Sequence, residues 1–126
     1  MLSNGVDIIH IPRMQRALDR YGDRLLKRVF TASEIKSCRG RANEFAVRFA
    51  GKEAVSKALG VGMRIMARNG VMFKEVEILP DVNGKPHVHL NGAALEHAHT
   101  LGLNEWAISL SHERDYGVAF VVASST

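Results

Sequence analysis

One stretch near the middle of the chain constrains the fold more than any other. Residues 44–59, EFAVRFAGKEAVSKAL, read as a helix, with Asn43 suited to cap its start and Gly60 to stop it. At about 100° per residue, Phe45, Ala46, Val47, Phe49, Ala50, Ala54, Val55, Ala58 and Leu59 point to almost every side. A helix apolar nearly all round is buried or lies at an interface, so the rest of the chain must be built round it. Glu53 is then out of place, between Phe49 and the Ala46/Ala50 row, with Lys57 one turn beyond. Two readings stand open. Glu53 and Lys57 form an i, i+4 pair on a half-solvated stripe, or Glu53 is a carboxylate held in a cleft for a cation or a proton. Gly51, in the same helix, costs about 1 kcal/mol of propensity and reads as a place where another backbone approaches.

The other elements follow from local signals. Residues 6–11 read as a strand, and Pro12 opens a helix running to about Tyr21. Gly22 interrupts, and residues 23–29 make a second short helix. Thr31-Ala-Ser-Glu34 has the form of a capping box and starts a third. After the long helix, Gly60-Val61-Gly62 and Asn69-Gly70 punctuate a loop. Residues 73–79 read as a strand, Asn83-Gly84 as a turn, and residues 87–90 as the returning strand of a hairpin. Residues 93–101 form a short helix ended by Gly102, and residues 106–111 and 118–123 a second hairpin turning at residues 113–117. Helices gather in the first half and antiparallel strands in the second, so the class is α+β. A length of 126 residues, 46% hydrophobic and 24% charged, is that of one domain, residues 1–126, with a real core.

Composition narrows the function. The single Cys38 leaves no internal disulfide and no metal motif. No apolar run is long enough to span a membrane and no secretory pattern opens the chain, so the expectation is a cytoplasmic protein with no membrane association. A net charge of +4 and a pI near 9.6 favour an anionic partner. With 6% aromatics and no helix-turn-helix, zinc or RNA-binding signature, nucleic acid is not expected. His87 and His89 alternate on one strand without an evident third ligand, His97 and His99 point apart on a helix, and Gly60-Val61-Gly62 lacks the lysine and spacing of a P-loop.

A second carboxylate sharpens the reading of Glu53. Asp7 sits in the apolar strand Gly5-Val6-Asp7-Ile8-Ile9, where an aspartate has a partner or a job. With GVDIIHIPR preceding RFAGKEAVSKALG, FKEVEILPDVNGKPHVHLNGAA downstream and ISLSHERDYGVAFVV closing the chain, the sequence closely resembles the holo-[acyl-carrier-protein] synthases, the small bacterial phosphopantetheinyl transferases. The likeness runs in order over nearly the whole chain, and Gly51 departs from it where alanine is commoner.

The resemblance implies the phosphopantetheinyl transferase fold and transfer of the phosphopantetheine arm of coenzyme A to a serine of apo acyl carrier protein, for fatty acid biosynthesis, with release of adenosine 3',5'-bisphosphate. It implies Mg²⁺ held by Asp7 and Glu53, an ion that suits one or two carboxylates completed by waters and substrate phosphate. Lys57 is implied at a phosphate or at the incoming serine; Glu53, Lys57 and metal-bound water all remain open as the general base. Coenzyme A is expected to meet Arg48 and Lys52, which bind phosphate from a neighbouring subunit or stay in solvent. His112 and the turn Asn83-Gly84-Lys85-Pro86 are expected on its adenosine side. Arg13, Arg16, Arg20 and Arg24 make a cationic stripe on which an acidic carrier protein docks. A homotrimer with sites between subunits is implied, and the long apolar helix and the last hairpin, apolar on both faces of its second strand, give independent reason to expect company. Two rivals are weighed beside this reading: a Mg²⁺-dependent phosphohydrolase using the same carboxylates, and a basic nucleic-acid binding module.

Overall fold

A computed structural model describes residues 1–61 and 71–126. The loop expected round Gly62, Asn69 and Gly70 lies outside the described residues. Strand β1 (Leu2–His10) leads into helices α1 (Ile11–Tyr21), α2 (Asp23–Val29), α3 (Ala32–Cys38) and α4 (Ala42–Leu59). A 3-10 turn (Phe73–Glu75), strands β2 (Val76–Pro80) and β3 (Pro86–Leu90), helix α5 (Gly92–Leu101) and strands β4 (Glu105–Glu113) and β5 (Tyr116–Ser124) complete the described chain. The class is α+β, as the sequence indicates.

The main sheet is antiparallel in the order β1-β5-β4, and β2 pairs with β3 in a separate ribbon. Helix α4 packs on the inner face of the main sheet, where β5 presents Gly117, Ala119, Val121 and Ala123, all buried. Small residues let helix and sheet come close. The closest approach is at Gly5 of β1, where a Cβ would stand 1.9 Å from the Ala54 carbonyl oxygen. Ser3 Oγ adds a 2.6 Å bond to the Ala58 carbonyl one turn on. On the other flank of α4, Phe45 and Ala46 meet Met14, Phe30 and Phe73 beneath the short helices.

The backbone approach expected at Gly51 is therefore found at Gly5 instead. At Gly51 an added Cβ would meet side chains, Ile78 Cδ1 at 2.5 Å and Ile108 Cδ1 at 3.2 Å. Two other expectations shift for local reasons. Helix α4 starts at Ala42 with Arg41 in the cap position, so Asn43 lies in the first turn. Its Nδ2 stands 3.4 Å from His112 Nε2 on β4. The strand expected from residue 73 begins only at Val76, because the Glu75 carboxylate competes for backbone donors: it accepts from Met72 N–H at 2.7 Å and Ala93 N–H at 2.6 Å, curling the preceding residues into a turn.

The capping box at Thr31 forms as the sequence indicates, with Glu34 N–H donating to Thr31 Oγ1 and Thr31 N–H to Glu34 Oε1. The β2–β3 turn is tied by Asp81, whose Oδ1 accepts from Asn83 N–H at 2.8 Å and Lys85 N–H at 3.0 Å while Gly84 takes φ 85°. His87 pairs with Asp81 Oδ2 at 2.9 Å and His89 is exposed, so these histidines sit at the surface of the ribbon.

Among the described residues, the outer face of the main sheet carries exposed apolar side chains. Val6 is 52% exposed, Ile8 66%, Val118 37% and Phe120 46%, and the register sets Val6 opposite Phe120 and Ile8 opposite Val118.

Candidate active site

Strand alternation places Gly5 and Asp7 on the face turned to α4. Gly5 brings β1 against Ala54, and the next inward residue, Asp7, then lies beside the part of α4 that carries Glu53 and Lys57. Asp7 Oδ1 is 3.1 Å from Lys57 Nζ, which also donates to the Val6 carbonyl at 2.8 Å. Lys57 thus pairs with Asp7, and the Glu53–Lys57 bridge left open by the sequence is not among the described ion pairs. Burial holds the Glu53 carboxyl above its usual range, the nearby Asp7 charge raises it further, and Lys57 opposes both. Two carboxylates that repel each other across a partly buried gap are short of positive charge. Among the described residues no third acid, histidine or cysteine joins them as a metal cluster. Such a pair suits Mg²⁺, which takes few protein ligands and fills its shell from water and phosphate.

Asp7 borders a cleft of about 370 Å³ floored by Met14, Ala17, Leu25 and Phe49, and Arg13 stands at its side. Leu25 also lines a neighbouring hollow with Tyr21, Arg24 and Arg28, so the apolar floor continues along α1 and α2. Arg13, Arg16, Arg20 and Arg24 are all exposed. Of the four, Arg13 lines the cleft beside Asp7 and Arg24 the neighbouring hollow. The apolar floor beneath it was not read, because Met14, Leu25 and Phe49 each look like ordinary core positions on their own helices.

A second groove, about 600 Å³, runs between α3, the start of α4 and the β2–β3 turn. Lys36, Arg39, Arg41 and Arg48 line it with Ser33, Ser37 and Gly84, against Glu44 as the only acid. Lys36, Arg39 and Arg41 were missed; their signal was the density of basic residues in KSCRGRA. Arg48 is 5% exposed, so it is not in solvent, and it bonds Glu44 Oε2 at 2.6 Å and the Ile78 carbonyl at 3.3 Å at the groove floor. Of the turn residues, Gly84 lines the groove, while Asn83, Lys85 and Pro86 flank it in sequence. His112 lines a different hollow, about 470 Å³, shaped by the β4–β5 turn and Ile8. Within one chain the expected coenzyme residues are thus divided between two concavities.

Lys52 requires a correction. It is 0% exposed, and its ammonium donates to Glu34 Oε1 at 2.8 Å, the Phe73 carbonyl at 2.9 Å and the Val76 carbonyl. With three donors and three buried acceptors it reaches neither phosphate nor solvent. The sequence cannot reveal this, because Glu34, its partner, lies on another helix.

An antiparallel sheet packed on an apolar helix thus brings the acids of β1 and α4 near each other, with one basic groove at the start of α4. The chain belongs to the 4'-phosphopantetheinyl transferase superfamily, whose pattern it matches over residues 3–121. It is 44% identical to the holo-[acyl-carrier-protein] synthase of Herpetosiphon aurantiacus over 97% of this chain and 98% of that one. The enzyme of the same name from Halorhodospira halophila is also 44% identical, over 94% of this chain and 93% of that one. The fold of this chain overlays that of Helicobacter pylori holo-[acyl-carrier-protein] synthase in complex with coenzyme A with a TM-score of 0.84 at 30% identity, covering 96% of this chain and 99% of that one.

Proposed function

We propose that this chain transfers the phosphopantetheine arm of coenzyme A to a serine of an apo acyl carrier protein, releasing adenosine 3',5'-bisphosphate, and that it does so with Mg²⁺ in the service of fatty acid synthesis in the cytoplasm. The Asp7–Glu53 pair, one acid on β1 and one on α4 and near enough for the Asp7 charge to raise the Glu53 pKa, carries the reading. Mg²⁺ bound there would neutralise the two acids and polarise the pyrophosphate. Asp7 and Glu53 would hold it. Lys57, anchored between Asp7 and the Val6 carbonyl, presents its ammonium where phosphate charge has to be met. The basic groove of Arg39, Arg41, Lys36 and Arg48 suits the phosphates on the adenosine side of the coenzyme, bordered by the Asn83–Pro86 turn. With coenzyme A and Mg²⁺, an apo carrier protein should gain one phosphopantetheine in intact mass. Loss of coenzyme A without modification of the carrier would favour a hydrolase, and neither change a binding module.

The arginine stripe suits an acidic carrier. Charges at the rim act mainly on association and are screened over about 8 Å at physiological salt. Arg13→Ala and Arg20→Ala should raise KM for carrier protein about tenfold at low salt and leave KM for coenzyme A within about twofold. Equal changes in both constants would remove the docking role from α1.

The uncovered apolar face of the main sheet, with Val6, Ile8 and Phe120 between 46% and 66% exposed, favours self-association. A cyclic trimer would cover it and bring His112 of one chain near the grooves of another. Sedimentation at micromolar concentration should give three times the chain mass; an active monomer would refute the shared site.

A further inference from the structure

The pair Glu34–Lys52 is the most deeply buried charge in the described chain, both side chains being 0% exposed, and the proposed chemistry does not use it. Its surroundings are unusual. Among the described residues, strand β2 pairs with β3 along one edge only. The groups on its other edge are met by charged side chains of two helices: the Val76 carbonyl by Lys52, Ile78 N–H by Glu34 Oε2 at 2.9 Å, and the Ile78 carbonyl by Arg48 Nε at 3.3 Å. The same Glu34 carboxylate closes the α3 capping box through Thr31 N–H at 2.9 Å, and Lys52 also binds the Phe73 carbonyl. Charged groups take the place of a neighbouring strand, and three elements meet at one carboxylate.

Stability alone is a weak reason for such an arrangement, since a buried ion pair is often no more stabilising than well-packed apolar side chains. Its geometry is more informative. Lys52 immediately precedes Glu53, so the two point about 100° apart round α4. Fixing Lys52 on β2 fixes Glu53 toward β1 and Asp7. Through Ile78 and Val76 the same contact fixes the ribbon that ends in the Asn83–Pro86 turn.

We propose that Glu34 and Lys52 are positioning residues: they lock the rotation of α4 against β2, so that the Asp7–Glu53 pair and the β2–β3 turn are held in one fixed relation to each other. This rests on the reading that the two acids hold a cation and the turn borders the coenzyme. Neither residue touches substrate. An error of about 1 Å in such a relation costs up to roughly a hundredfold in rate.

The test uses Lys52→Met, Glu34→Gln and the double variant. Lys52→Met alone leaves a buried carboxylate unpaired and is expected to melt far below the parent; the double variant removes both charges and is expected to recover much of that loss. Glu34→Gln alone is carried through the same measurements in case the double variant does not fold. Below the melting range, three quantities are read: Mn²⁺ binding by electron paramagnetic resonance without coenzyme A, coenzyme A binding by calorimetry, and kcat with KM for carrier protein. In the folded variant, Mn²⁺ and coenzyme A affinities should each fall about fivefold or more and kcat about tenfold or more, while KM for carrier protein stays within about twofold. A folded variant with all three parental values overturns the proposal and leaves the pair purely structural. Parental protein that binds no Mn²⁺, or Asp7→Ala protein that binds it as well as the parent, overturns the reading beneath it as well.

Discussion

Replacing either acid, Asp7→Ala or Glu53→Gln, should lower phosphopantetheine transfer by about a thousandfold without unfolding the protein. The two halves of this expectation have one cause. Burial and the Asp7 charge raise the Glu53 pKa in the folded chain above its ordinary 4.5. A carboxyl raised in this way favours folding while it is protonated, below the ordinary value, and that contribution is lost as pH rises through the folded value. Once ionised, Glu53 therefore opposes folding unless a cation offsets it. Glu53→Gln should melt no lower than the parent in chelator, and the parent should gain more from added Mg²⁺ than the variant does. Near-parental turnover of either variant at saturating Mg²⁺ would sink the assignment. A large loss of stability for Glu53→Gln would mean that Glu53 is held by structure rather than for a ligand.

The second large effect is expected at Gly5. Gly5→Ala puts a methyl 1.9 Å from the Ala54 carbonyl oxygen and 3.1 Å from Ala58 N, both helix backbone. Neither can turn aside, so β1 must lift away from α4, at a loss of about 3 kcal/mol or more. Because Asp7 is the next inward residue, any protein that still folds should bind divalent cation weakly. Gly51→Ala is the control. Its methyl meets side-chain ends, Ile78 Cδ1, Ile108 Cδ1 and Leu110 Cδ2, which can repack, and a mid-helix glycine replaced by alanine gains about 1 kcal/mol of propensity. Denaturant melts of the two variants should differ by at least about 2 kcal/mol, with Gly5→Ala the weaker. Equal stabilities would show that the strand–helix approach is softer than these contacts imply.

The order of elements was legible because each carries its own local signal. Pro12 and Gly22 bracket α1, the Thr31–Glu34 box opens α3, and Asn83-Gly84 turns the ribbon. Long-range contacts erased some of these signals. Glu75 reads as a strand residue until Met72 and Ala93 offer it donors, one of them from the start of α5. Asn43 suits a cap, yet the helix starts one residue before it and its amide turns to His112. In the site, Asp7 and Glu53 stood out because an acid among apolar neighbours is anomalous on sequence grounds alone. Lys52 misled for the converse reason. A lysine on a helix reads as solvated, and only Glu34, eighteen positions earlier, together with two backbone carbonyls, makes its burial tolerable. The groove cations Lys36, Arg39 and Arg41 lie in and just after a short helix, and a cleft made between elements has no signature in any one of them.

Strand β1 leaves its sequence little freedom to drift. Gly5 and Asp7 face the helix, while Val6 and Ile8, between and beyond them, face outward at 52% and 66% exposure. A single residue deleted before Asp7 would exchange the two faces, turning the acid out to the open side of the sheet and an isoleucine into the acidic cleft. Relatives should therefore keep the count between Gly5 and Pro12 unchanged.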